Sequence, residues 1–256
     1  MRSYQPVEAM LRGLNVLQTL ASLGPCRIKD VEIATRLSGA TVVRMLETLV
    51  VAGYVYQDGP RGRYALTRKV ATLAAGYDTV VDLIDRARPA LAELQRATGW
   101  SGDLAVRDGD AMLTIATSPA GDRLPFNQPP GFRASMIATS LGLAYLAHAP
   151  EAEREMLLGR LAASNGVDGT LAADPIRLRR KLRAVRRLGY ATIDRDIAAS
   201  HQLAMLQTVG VAILVAERPI AAINLTFVRA EVSIRDALRS FLPHLKAAAA
   251  EIARAR

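Results

Sequence analysis

Between Lys29 and Tyr64 the chain reads KDVEIATRLSGATVVRMLETLVVAGYVYQDGPRGRY, and no other stretch limits the possible folds as much. Asp30, Val31, Ile33, Ala34 and Leu37 have the spacing of a short amphipathic helix. After the break at Ser38-Gly39, Val42, Leu46, Leu49 and Val50 recur at i, i+4, i+7 and i+8, one face of a second helix turned to a core. Gly53 stops that helix, because a residue without Cβ can take the left-handed cap conformation. Tyr54-Val55-Tyr56 and Tyr64-Ala65-Leu66 are β-prone runs, and the turn-forming residues Gln57 to Arg63 between them carry two arginines. The pattern predicts a winged helix-turn-helix. An ordinary αα-hairpin followed by an unrelated β-turn is the alternative.

An α-helix roughly 10–12 Å across fits the major groove of B-DNA, about 12 Å wide, while a wing reaches the adjacent backbone. With Val42, Leu46 and Leu49 inward, the opposite face carries Ala40, Thr41, Val43, Arg44, Glu47 and Thr48. Thr41, Arg44 and Thr48 are three and four residues apart and share that side. Gly39 and Ala40 leave the helix start lean, which favours close approach of backbone to phosphate. Arg61 and Arg63 on the turn suit phosphate contact. The charge balance agrees: the formal charge is +9 over 256 residues, and Met1 to Tyr77 holds ten Lys/Arg against five Asp/Glu, or +5.

A single cysteine, Cys26, rules out an intramolecular disulfide framework and fits a reducing cytosol. No apolar run approaches the roughly 18 residues of a membrane span, and no signal-peptide core opens the chain. A soluble, cytoplasmic protein without a membrane partner is expected.

Along the chain, Pro6 suits the start of a first helix whose buried stripe would be Met10, Leu14, Leu17 and Leu20/Ala21, ending at Gly24-Pro25. From Thr67 to Gly99 the pattern is helical, with Gly76 and Pro89 expected to break or kink it. Strand-like runs then cover Ser101 to Arg107 and Ala111 to Thr117, joined by Asp108-Gly109-Asp110. Ser118 to Arg133 reads as loop, and a helix is expected from about Ser135 to Ala147. Another follows Pro150, and Gly159 to Asp174 turns irregular in its later half. Pro175 to Leu188 is a helix on Leu178, Leu182 and Val185, and its arginines read as a solvated face. Strands are expected at Tyr190 to Arg195, Leu206 to Val215 and Ile220 to Val228, with Glu217-Arg218-Pro219 as a turn, and a final helix from Ser233 to Ala253. Strands and helices in this order give an α+β second domain, an antiparallel sheet with helices packed on it. Asn224 and Thr226, two apart in an apolar strand, put both polar side chains on one face. A small acid's pocket needs such groups, although they could equally satisfy neighbouring backbone.

Several blocks in this order resemble the IclR family of bacterial transcriptional regulators over nearly the whole chain: RGLNVLQTLA, RMLETLVVAGYV, RYALTRKVATLAAGY, ATSLGLAYLA, LRAVRRLGYA and AAINLTF. Within it, RMLETL, the segment RLPFNQPPGFRASMIATSLGLAYLAHAPE and the INL strand are similar to activators of phenylpropionate and hydroxyphenylpropionate catabolism. The resemblance implies a winged helix-turn-helix over residues 1–66, a linker helix over 67–80 and a GAF-like effector and oligomerisation domain over 81–256. It also implies operator DNA and a small organic acid as partners, with a homodimer or dimer of dimers as the assembly, and no cofactor. The family's recognition helix falls on Ser38 to Leu49. Its ligand pocket falls on Met136, Ile137, Ala138, Thr139 and Ser140 and on Thr208, Asn224 and Thr226. The sequence departs from the family pattern at Arg36, where a turn glycine is common, and at Gly39-Ala40, which replaces a polar pair. An acidic ligand contact of some members falls near Ala198, with Asp196 two residues away, and Ala212 stands where a strand proline is common.

Catalysis has no comparable signal. His148, His201 and His244 lack metal-ligand spacing, and no GxSxG or CxxC occurs; His148, at a helix end, is accounted for by a cation's attraction to the dipole. Three readings follow: a ligand-responsive transcription factor, a constitutive DNA-binding protein whose second domain only oligomerises, and an enzyme with an accessory DNA-binding module.

Overall fold

The computed structural model describes residues 4–59, 62–74, 78–119, 128–193 and 205–254. The chain divides into two units, Met1–Val81 and Asp82–Arg256. In the first, α1 (Glu8–Leu23), α2 (Ile28–Thr35) and α3 (Gly39–Val51) precede a hairpin of β1 (Val55–Gln57) and β2 (Tyr64–Leu66). Val16, Leu20, Cys26, Val31, Val42, Leu46, Val55 and Tyr64 form its core. Gly53, at φ 77°, ends α3, and the Tyr54 amide turns back to the Leu49 carbonyl at 3.0 Å. Val55 pairs with Leu66 in an antiparallel wing.

The core is smaller than the apolar pattern suggested. Met10 and Leu14 are 66% and 46% exposed, and Val16 with Leu20 is the pair of α1 that is buried. Only the last turns of α1 reach over α2 and α3, so the stripe expected through Met10 and Leu14 is not the packed one. Ile33 is likewise exposed on α2, and Val50 on α3. Of the expected linker helix, Arg68–Ala74 is a 3₁₀ helix, while Ala75 to Tyr77, and with them Gly76, lie outside the described residues.

The second unit is built on a six-stranded sheet. Its strands are β3 (Asp103–Asp108), β4 (Ala111–Thr117), β5 (Arg133–Ser135), β6 (Ala191–Thr192), β7 (Leu206–Val215) and β8 (Arg218–Val228). Their order is β5-β4-β3-β8-β7-β6, every neighbouring pair antiparallel. Period-two alternation divides the sheet's side chains between two cores. Leu104, Val209, Val211, Ile223, Leu225 and Phe227 pack with Leu83, Ala87, Leu91 and Leu94 of α4 (Asp78–Thr98) and with the C-terminal helix. On the other face Ala105, Met112, Ala134 and Ala222 meet α5 (Ser140–His148), α6 (Glu151–Ala162) and α8 (Pro175–Leu188). A one-and-a-half-turn α7 (Val167–Ala172) occupies part of the segment expected to be irregular.

Four departures have plain causes. Helix α4 runs through Pro89, which removes one hydrogen bond while Ala87, Ala90, Leu91 and Leu94 stay buried around it. The helix expected from Ser135 begins at Ser140, because residues 133–135 are spent on pairing with β4. The final helix is two, α9 (Ile234–Ser240) and α10 (Leu242–Ala253), parted at Phe241. Pro243 has no N–H for the previous turn, and Phe241 instead sets its ring edge-on to Phe227 at 6.0 Å. The last hairpin turns at Ala216-Glu217, both at positive φ, so Pro219 lies in β8, at a register shift opposite Leu214.

One contact sets the height of α5 over the sheet. A Cβ added at Gly210 of β7 would stand 2.8 Å from the Ser140 carbonyl carbon and oxygen. Gly210→Ala should therefore push the α5 start off the sheet and lower stability by about 1–3 kcal/mol. Urea unfolding followed by Trp100 fluorescence measures this; an unchanged midpoint would show that the contact is slack.

Candidate functional site

In the first unit, Ser38 caps α3 in extended conformation, and its hydroxyl lies 2.9 Å from that of Thr41. Gly39 sits against the Glu32 carboxylate, which a Cβ there would push aside. Ala40, Arg44 and Thr48 are exposed, and Thr41 and Val43 half-buried. Thr48 donates to the Arg44 carbonyl at 2.7 Å, while the Arg44 guanidinium has no partner among the described residues. Arg36 takes the left-handed conformation at φ 58°, so the turn keeps its geometry without the glycine that would adopt it freely. On the wing Arg63 is exposed and its carbonyl accepts from the Asp58 amide at 3.0 Å; Arg61 lies outside the described residues. The helix thus offers a lean, hydroxyl-rich face with one free cation.

In the second unit a cavity of about 80 Å³ lies at the N-terminus of α5. Thr139 and Ser140 line it from the helix, Thr208 from β7, and Asn224 and Thr226 from β8. Strand pairing explains their convergence: Gly210 is opposite Asn224 and Thr208 opposite Thr226, so these positions share the face that α5 covers. Thr139 caps α5 by accepting from the Gly142 amide at 3.2 Å. Phe132, Leu141, Ile193 and Leu206 supply apolar wall. No Lys, Arg or His lines the cavity among the described residues.

Met136, Ile137 and Ala138, expected in the same pocket, do not line this cavity. Met136 and Ile137 are core residues beneath α5 and α8, and Ile137 borders a separate hollow with Leu178 and Lys181. The Ser135 hydroxyl accepts from the Ile137 and Ala138 amides and tightens the chain into a turn ahead of the helix. That turn carries these three side chains away from the helix start. Asp196 and Ala198 lie outside the described residues, as does His201. His148, the last residue of α5, is half-buried; burial, then Arg186, pushes its pKa down. A charged imidazole is thus disfavoured there, against the expectation of a cation held by the helix dipole.

Sequence reasoning missed Asp103 and Thr114, which also line the cavity. Asp103 is 4% exposed, accepts from the Thr117 hydroxyl at 2.8 Å, and donates its backbone amide to Asn224 Oδ1 at 2.8 Å. Burial lifts its carboxyl to about 6, against the downward pull of the hydrogen bonds from Thr117 and Asn224. The hydroxyls of Thr114 and Ser140, each 1% exposed, have no hydrogen-bond partner among the described residues. The available signal was an aspartate in a strand, a position that type avoids, two residues after Ser101 and so on the same face.

Comparison with known proteins agrees with both halves of this geometry. The IclR helix-turn-helix domain matches residues 9–59, and the C-terminal domain of the bacterial transcriptional regulator IclR matches residues 75–254. The chain belongs to the IclR family. Its members are DNA-binding transcriptional regulators. The chain is 28% identical over 249 residues to the Pca regulon regulatory protein of Pseudomonas putida, covering 96% of this chain and 83% of that one. The fold matches the IclR of Thermotoga maritima with a TM-score of 0.67 at 21% identity, over 97% of this chain and 98% of that one. It also matches an IclR homologue of Microbacterium hydrocarbonoxydans complexed with 4-hydroxybenzoate, with a TM-score of 0.61 at 22% identity, over 95% and 97%. Among the described residues no helix is long and apolar enough to cross a membrane.

The buried aspartate has a measurable signature. A carboxyl raised in the fold to about 6, above an unfolded value near ~3.9, contributes stability that is fully present below the unfolded value and lost as pH rises through about 6. Asp103→Asn does not titrate. Its stability relative to wild type should grow from about pH 4 to about pH 6 and then level off, by on the order of 3 kcal/mol at most. Thermal melts across that range test this, and a flat difference would place the carboxyl in contact with water.

Proposed function

We propose that this IclR-family regulator is ligand-responsive, with α3 and the wing reading operator DNA and the α5 cavity taking a small, aromatic carboxylic acid. The observation that carries the reading is the convergence of Thr139, Ser140, Thr208, Asn224 and Thr226 on one cavity at a helix N-terminus. Backbone amides and the helix dipole there favour an anion, which the cavity's lack of a described cation makes necessary. The unpartnered Ser140 hydroxyl adds a donor. Phe132, Leu141, Ile193 and Leu206 provide the apolar flanks that an aromatic ring needs. The family relative that holds 4-hydroxybenzoate supports the ligand class.

Ligand binding would bias the protein between DNA-binding arrangements by no more than its differential affinity for them. Self-association into a homodimer or dimer of dimers would match a two-fold operator. The exposed apolar side chains of Met10, Leu11 and Leu14 on α1 support self-association. A constitutive DNA-binding protein would leave the buried hydroxyls of the cavity unexplained.

Two substitutions separate the sites. Arg44→Ala should weaken operator binding by about 1–3 kcal/mol without changing the melting temperature; wild-type affinity in a gel-shift titration at matched salt would remove α3 from the interface. Ser140→Ala deletes a buried hydroxyl that has no partner, so stability should hold or rise by up to about 1 kcal/mol while acid affinity falls. Calorimetry with aromatic acids alongside thermal melts reads both. Unchanged acid binding would count against the α5 end as the anion site.

A further inference from the structure

The cavity has a second polar end, away from α5. Leu104 pairs with Ile223, which sets Asp103 beside Asn224, and Asn224 is paired in turn with Gly210, the residue on which Ser140 rests. Asp103 thus stands two strand spacings, roughly 10 Å, from the start of α5. Thr114 is one strand further on, paired with Ala105.

We infer that Asp103 and Thr114 form a specificity site that selects acids carrying a hydroxyl group at the end opposite their carboxylate. The inference rests on the effector reading above and adds the orientation and substitution of the ligand.

The chemistry of the two residues suits a ligand hydroxyl. The Asp103 carboxylate receives hydrogen bonds from the Thr117 hydroxyl and Asn224 and keeps acceptor capacity, having about four lone-pair sites. The Thr114 hydroxyl is buried, lines the same cavity and has no partner among the described residues. A ligand hydroxyl can donate to the first and accept from the second. An ammonium group could donate to both, since the Thr114 hydroxyl also accepts, but would leave the Thr114 proton unpaired; a bare ring edge would leave both groups unpaired. A ligand carboxylate at this end would face the Asp103 carboxylate, so it is directed to the amides of α5.

Calorimetry at neutral pH tests the inference with two acid pairs, 4-hydroxybenzoate against benzoate and 3-(4-hydroxyphenyl)propionate against 3-phenylpropionate. Wild type should bind at least one hydroxylated acid about tenfold or more tighter than its deoxy partner, because a site built to pair a hydroxyl rejects the analogue lacking it. Thr114→Val keeps shape and removes the unpaired hydroxyl; Asp103→Ala removes the acceptor. Both should bring the ratio to within about threefold of unity. If Asp103→Ala fails to fold, as judged by Trp100 fluorescence, the Thr114→Val ratio decides alone. Equal affinities within each pair for wild type, or a preference that survives the substitutions, would overturn the inference and leave the effector reading standing. If none of the four acids binds, the effector reading falls and this inference with it.

Discussion

Helix α5 meets the sheet at a point where there is space for a hydrogen atom and nothing larger. Gly210 lets the Ser140 backbone lie directly on β7, and the form of the cavity depends on that contact. Because the helix starts there, the side chains further along β7 and β8, and across on β3 and β4, have no helix above them. They stand around a hole whose roof begins at a ring of backbone amides. The sheet cannot relax to close it, since its other face is fully packed against α4 and α10 through Leu104, Ile223, Leu225 and Phe227. A rigid floor and a low helix end hold polar groups apart that would otherwise collapse together.

The electrostatics of that hole are lopsided. One carboxyl is buried in its wall and no described side chain there is a cation. An anion entering it depends on peptide dipoles and neutral hydroxyls, which are weak singly and directional. Asn224 belongs to both worlds: it shapes the cavity and also holds the Asp103 amide. Truncating it would disturb the floor along with the ligand surface, which makes Ser140 the cleaner probe of binding.

Much of this was legible in the residues. Periodicity is local, so the three reading helices, the wing, Leu206–Val215 and Pro175–Leu188 could be placed from spacing alone. Asn224 and Thr226 could be assigned to one face because strand alternation is equally local. What misled was set at a distance. Ser135 looks like a helix start until β4 takes its backbone, and that pairing also turns Met136 to Ala138 into core. The burial of α1 depends on how far α2 and α3 extend beneath it, which no stripe within α1 records. Asp103 was invisible for the same reason, since its enclosure comes from β8 and β4, more than a hundred residues away in the first case.

Helix α3 keeps its two duties on separate sides. Val42 and Leu46 hold the fold, while Ala40, Arg44 and Thr48 belong to none of the core. If α3 reads operator DNA as proposed, a duplicated copy of this gene could exchange its outward side chains, and so acquire a different set of target promoters, without first acquiring spare stability. The opposite holds at the cavity, where the residues that would meet the ligand are also the ones that keep strands and helix apart. If the cavity holds an effector as proposed, a change of effector would have to travel with compensating changes in packing, so descendants of such a copy should diverge in what they regulate sooner than in what they sense.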